Sequence, residues 1–116
     1  MNADAILSRF GPDGDRAARW LRRVIDEAGL DLEERLRPGW ACLAFHHPDA
    51  GYVVGIFPRD GHAQLVVEHG AALDSFDDLF DEVGGQIAKV IVRAVPDPRC
   101  ERIVDSIVAA ISARVG

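Results

Sequence analysis

Tyr52 to Glu68 reads YVVGIFPRDGHAQLVVE, and the fold follows from how this stretch bends. Two strand-like runs, Tyr52 to Phe57 and His62 to Glu68, flank Pro58-Arg59-Asp60-Gly61. Proline cannot donate to a ladder, and an Asp-Gly pair tolerates the positive φ of a tight turn, so the stretch predicts an antiparallel hairpin. In its second strand Ala63, Leu65 and Val67 alternate with His62, Gln64, Val66 and Glu68, giving one apolar face and one mostly polar face. The apolar face requires a helical cover.

Upstream, Trp40 to His46 predicts a first strand, with Ala41, Leu43 and Phe45 on one side and Trp40, Cys42, Ala44 and His46 on the other. From Asp15 to Ala28 the residues Ala17, Trp20, Leu21, Val24 and Ile25 recur at helical spacing, and Gly29 is placed to end that helix. Residues 3 to 10 predict a shorter helical turn before Gly11-Pro12. Asp31 with Glu34 has the form of a capping box, which predicts a second short helix reaching Arg37, before Pro38-Gly39.

Downstream, Phe76, Leu79, Phe80 and Val83 recur at three and four residues, predicting a helix over Leu73 to Val83 ended by Gly84-Gly85. Gln86 to Val95 is rich in β-branched residues and predicts a strand. Asp97 and Pro98 open a closing helix with Ile103, Val104, Ile107, Val108 and Ile111 on its buried stripe. The expectation is an α+β domain: a four-stranded, mainly antiparallel sheet covered on one face by N- and C-terminal helices, with a mixed order left open by the crossover at residues 69 to 85.

With 116 residues and 48% hydrophobic content, the chain suits a single domain, 1 to 116. No apolar run approaches the roughly 20 residues of a membrane-spanning helix, so a soluble cytoplasmic protein without membrane partners is expected. Cys42 and Cys100 lack metal-site or disulfide-framework spacing and read as buried thiols. Residues 60 to 82 hold seven carboxylates and no Lys or Arg, while the rest of this −6 chain sums to +1. Such a patch repels nucleic-acid backbones and favours cations or basic partners.

Several of these segments carry a resemblance. Glu34-Arg35-Leu36-Arg37-Pro38-Gly39-Trp40, the strand His62 to Glu68, Gly70-Ala71-x-Leu73, Asp77 with Leu79, and Gly84-x-Gln86 before a β-branched strand resemble the YdhG-like domain family, over about residues 15 to 115. The resemblance implies a compact bacterial α+β domain of largely unknown function, and, through its frataxin-like members, an iron chaperone. Where that family reads Gly-x-Gly-Lys-Gln-x-Arg-His, this chain has Gly85 and Ala88 at two basic positions and Lys89 in place of the His.

The residues themselves give two sets of candidates. Asp74, Asp77, Asp78, Asp81 and Glu82, three to four apart on one helix, would present carboxylates to a hard or borderline cation such as Fe²⁺, as a weak surface site; a solvated helix face explains the same spacing. Trp40, His46, Tyr52, His62 and Gln64 would line a ligand pocket if the polar sheet face and the helices converge. No nucleophile elbow, phosphate loop or HxxxH pair points to catalysis. The expected function is a non-catalytic binding module for a small molecule or protein. Iron handling through the acidic helix is the alternative, and an assembly partner forming a homodimer is a third reading.

Overall fold

In the computed structural model, which describes residues 2–115, the Asp60-Gly61 turn closes the expected hairpin with Gly61 at φ 80°. Around it runs the order α1 (Ala3–Leu7), α2 (Pro12–Ala28), β1 (Glu33–Arg37), β2 (Cys42–His47), β3 (Gly51–Arg59), β4 (His62–Val67), β5 (Glu82–Gly84), β6 (Ile87–Val92) and α3 (Cys100–Val115), with 3₁₀ turns at Pro38–Trp40, Gly70–Ala72 and Asp74–Phe76. The six strands form one sheet in the order β1-β2-β3-β4-β6-β5, and every neighbouring pair is antiparallel. The architecture is therefore α+β with an antiparallel sheet, as the sequence predicts, but with six strands rather than four and no parallel pair.

Both additional strands come from segments that read as helix. Glu33–Arg37 is an edge strand, with Leu36 turned to the core opposite Leu43. Asp31 takes φ 59°, so it is not the extended N-cap that a capping box needs. Leu73 to Val83 is no helix either. The 3₁₀ turn at Asp74–Phe76 and the loop after it still bury Phe76, Leu79 and Phe80, while Val83 lies in β5 and is exposed. Like-charged side chains at i, i+3 and i+4 destabilise a helix, and here two of the carboxylates have partners that hold the chain in a different shape. Asp81 accepts hydrogen bonds from the Ile91 backbone N–H at 2.7 Å and from Arg99 at 2.9 Å, and Asp78 meets Arg102 at 2.6 Å.

The helices pack on one side only. Leu43, Phe45, Val54, Ile56, Ala63, Leu65, Val67, Ala88, Val90 and Val92 meet Leu21 and Ile25 of α2, Ile103 and Ile107 of α3, and Ile6 and Leu7 of α1 in a single core. A bulge between β2 and β3 leaves Val53 without a partner in β2 and turns it inward beside Val54, so two adjacent residues join the same core, while its carbonyl accepts the Glu68 N–H at 2.9 Å on the other side. Helix α2 starts at Pro12, earlier than Asp15, because proline suits the first helical position. Gly14 lies where that helix crosses the hairpin: a methyl group there would be driven into the Arg59 carbonyl and would stand 3.2 Å from the His62 carbonyl. Gly29, in the left-handed region at φ 61°, ends the helix. Helix α3 begins at Cys100 rather than Pro98, and the Asp97 carboxylate closes its entry turn by accepting the Arg99 N–H at 2.9 Å. Among the described residues no helix is long and apolar enough to cross a membrane.

Candidate functional site

Because strand side chains alternate, fixing Leu36, Leu43, Ile56, Leu65 and Val90 in the core puts their neighbours on the opposite face. One row crosses all six strands there: Arg35, Ala44, Gly55, Val66, Lys89 and Glu82. Phe57, Gln64 and Ile91 form a second row on one side of it, level with the Arg37–Cys42 pair, and Glu33, His46 and Tyr52 form a third on the other. Cys42, Ala44 and Val66 are buried, yet they stand outside the core cluster. Their cover comes from side chains of the same face.

Gly55 sits at the centre of this arrangement. A methyl group on it would come within 2.6 Å of the Tyr52 hydroxyl oxygen and 2.9 Å of the Phe57 ring, so glycine leaves the space into which both aromatics lean. Tyr52 also stacks at a tilt on His46, with ring centroids 5.5 Å apart. Burial pushes the Tyr52 phenol well above its ordinary range and the Cys42 thiol up as well, so both stay protonated at neutral pH. A protonated thiol is a poor nucleophile. His46 is shifted down, first by burial and then by Arg35 and Arg37. At the hairpin end, the Arg59 guanidinium lies over both Phe57 and Phe10, 5.2 and 5.6 Å from the ring centroids, and pins the α1–α2 connection to the sheet.

Four of the five candidate ligand residues share this face. His46 and Tyr52 pair directly across β2 and β3, while His62 and Gln64 lie toward the other end, their side-chain nitrogens 3.5 Å apart. The row through Gly55 separates the two pairs. Trp40 is not with them: it occupies the 3₁₀ turn between β1 and β2, where Ala41 adopts φ 53°, and it is 69% exposed. The five do not close around a pocket. The residues that sequence reasoning passed over are Arg35, Arg37, Gly55, Phe57, Val66, Lys89 and Ile91. Two-residue spacing from Gln64 gives Val66, which already breaks the polar face as a lone apolar residue, whereas the bulge takes Gly55 and Phe57 out of phase with Tyr52.

The acidic candidates are spread out by the loss of their helix. Asp74 opens a 3₁₀ turn, Asp77 is exposed, Asp78 and Asp81 are held by arginines, and Glu82 lies across from Lys89 at the sheet edge. Among the described residues no group of three or more His, Cys, Asp or Glu side chains is placed to hold a metal ion. A cleft of about 680 Å³ opens between the end of α2 and β1, lined in part by Arg19, Arg22 and Arg23. Two of these are engaged, Arg19 by Asp4 and Asp15 and Arg22 by Glu34 in a two-pronged bond of 2.7 and 2.8 Å. Comparison of the chain with protein-family models, with curated proteins and with solved structures finds no match in any of the three.

Proposed function

We propose that the chain is a non-catalytic binding module of the YdhG-like type, and that the uncovered face of its sheet docks a protein segment. One observation supports the reading above the others: helices cover one face of a six-stranded sheet, and the other has an apolar centre ringed by charge. Strand spacing makes the face about 24 Å wide, and strands of about six residues make it about 20 Å long, or about 480 Å² before side-chain relief. That area is broad and flat, whereas small-molecule sites are concave and enclose their ligand. It falls below the roughly 800 Å² per partner of a standard interface, which fits a transient complex of about micromolar affinity.

The test is to select binders from a displayed random-peptide library and map them by amide chemical shift. Peptides that perturb Ala44, Gly55, Val66 and Lys89, and that lose binding to a Val66→Glu variant with an unchanged spectrum elsewhere, support the reading. Binders that instead cluster at the cleft beside Arg23, or that ignore the substitution, would defeat it.

A further inference from the structure

The outward residues of the six strands, with Glu68 that continues β4 beside Tyr52, include Arg35, Arg37, Arg59 and Lys89 against Glu33, Glu68 and Glu82, a net +1, so the remainder of this −6 chain carries −7. Glu33 is already spent on Arg35 at 2.8 Å. Among the described residues no carboxylate lies within ion-pair distance of Arg37, Arg59 or Lys89. Lys89 is the chain's single lysine. A protein whose composition points toward basic partners thus turns its basic side outward on the one sheet face that helices leave open.

From this charge pattern, and resting on the docking reading above, we infer that the occupant of the face is an acidic polypeptide segment carrying apolar side chains. Its carboxylates meet Arg37, Arg59 and Lys89, and its apolar side chains meet Phe57 between them and Ile91 beside Lys89, on the half of the face away from Glu68. Opposite potentials steer such a segment to the face, and like potentials exclude others. A second copy docked face to face would set one unpaired basic rim against another. A second copy docked by its acidic 74–82 segment offers charge, but Phe76, Leu79 and Phe80 are already buried in its own core. An extended nucleic acid would run off the face into the −7 remainder, which repels it.

Three fluorescein-labelled peptides test the inference by anisotropy against the whole chain: Phe set among Glu, Phe set among Lys, and Ser set among Glu. The Glu-Phe peptide binds, the Lys-Phe peptide is at least about tenfold weaker, and the affinity of the first falls several-fold between about 50 and 300 mM salt. Lys89→Glu and Arg37→Glu each weaken it about tenfold, with amide spectra unchanged away from the face. Equal binding of the Lys-Phe peptide at the same amides overturns the acidic partner but leaves the docking face standing. Shifts from none of the three peptides, with library binders mapping elsewhere, overturn the docking reading itself. Tighter binding of a single-stranded oligonucleotide than of the Glu-Phe peptide, or sedimentation as a dimer that Lys89→Glu dissolves, also overturns the inference by naming a different occupant.

Discussion

Replacing Arg99 with leucine should destabilise the fold by about 2 to 3 kcal/mol, because its guanidinium joins three separate pieces of chain. It binds both oxygens of Asp97 at 3.0 and 2.8 Å, Asp81 at 2.9 Å and the Ile91 carbonyl at 2.7 Å, tying the entry of α3 to the 81 turn and to β6. The magnitude follows from exposure. Breaking a fully buried pair costs about 3–5 kcal/mol and an exposed pair at most about 1. Asp97 is 8% exposed, but Arg99 is 30% and Asp81 38% exposed, which puts the network between those limits. With a urea slope of about 1–3 kcal/mol per molar, the unfolding midpoint should drop by roughly 1 M. The Arg99 hydrogen bonds hold the Asp97 carboxyl below its ordinary value of 3.8. A depressed carboxylate contributes stability that is present above that value and is lost as pH falls through the folded one. The gap between parent and variant should therefore be full at pH 6 to 7 and narrow below about pH 4. A double-mutant cycle with Asp97→Asn should return a coupling of about 1 kcal/mol or more. A loss under about 0.5 kcal/mol at pH 7, or additive single effects, would refute the reasoning.

Gly14→Ala reverses the usual sign of a glycine-to-alanine change in a helix. Propensity alone predicts a gain of about 1 kcal/mol, whereas the collision with the Arg59 carbonyl predicts a net loss of about 1–3 kcal/mol in urea unfolding. The two tryptophans should separate cleanly in the same assay: Trp20→Ala, in the core, costs about 3–5 kcal/mol, and Trp40→Ala, on its exposed turn, less than about 0.5. Gly55→Ala should leave the fold within about 1 kcal/mol of the parent yet displace Tyr52, visible as changed ring shifts of Tyr52 and His46. His46 should titrate below its ordinary 6.5 in an NMR pH series. Because the folded state binds that proton less tightly than the unfolded chain, its contribution disfavours the fold as pH drops below 6.5.

Where alternation or helical spacing had a core to answer to, the sequence was a good guide. Ala63, Leu65 and Val67 do face the helices, and the stripes of α2 and α3 do meet them. Two segments misled for different reasons. Glu33–Arg37 has one apolar residue, Leu36, so neither period is written in it, and its place as a charged edge strand depends on β2 lying beside it. In Leu73 to Val83 the apolar spacing fits a helix, but the partners of Asp78 and Asp81 are Arg102 and Arg99, more than fifteen residues away, and such contacts leave no local trace. The candidate site was legible in halves. Strand alternation places His46, His62 and Gln64 on a common face, whereas adding Tyr52 depends on the bulge at Val53, and joining them to Arg35, Val66 and Lys89 requires the cross-strand register, which is set by pairing rather than by any one strand. Trp40 was misplaced because the left-handed Ala41 puts a turn where a strand was expected.

The open face stands or falls on the isoleucine methyl groups, measured by relaxation from a soluble paramagnetic chelate with and without the Glu-Phe peptide. Ile87 and Ile91, partly exposed on that face, should relax strongly in the free protein and become shielded when the peptide is added, while Ile56, Ile103 and Ile107, fully buried, stay unaffected throughout. An Ile91 methyl as protected as that of Ile56 in the free protein would show that the face is covered, and an Ile91 unchanged by the bound peptide would show that docking takes place elsewhere.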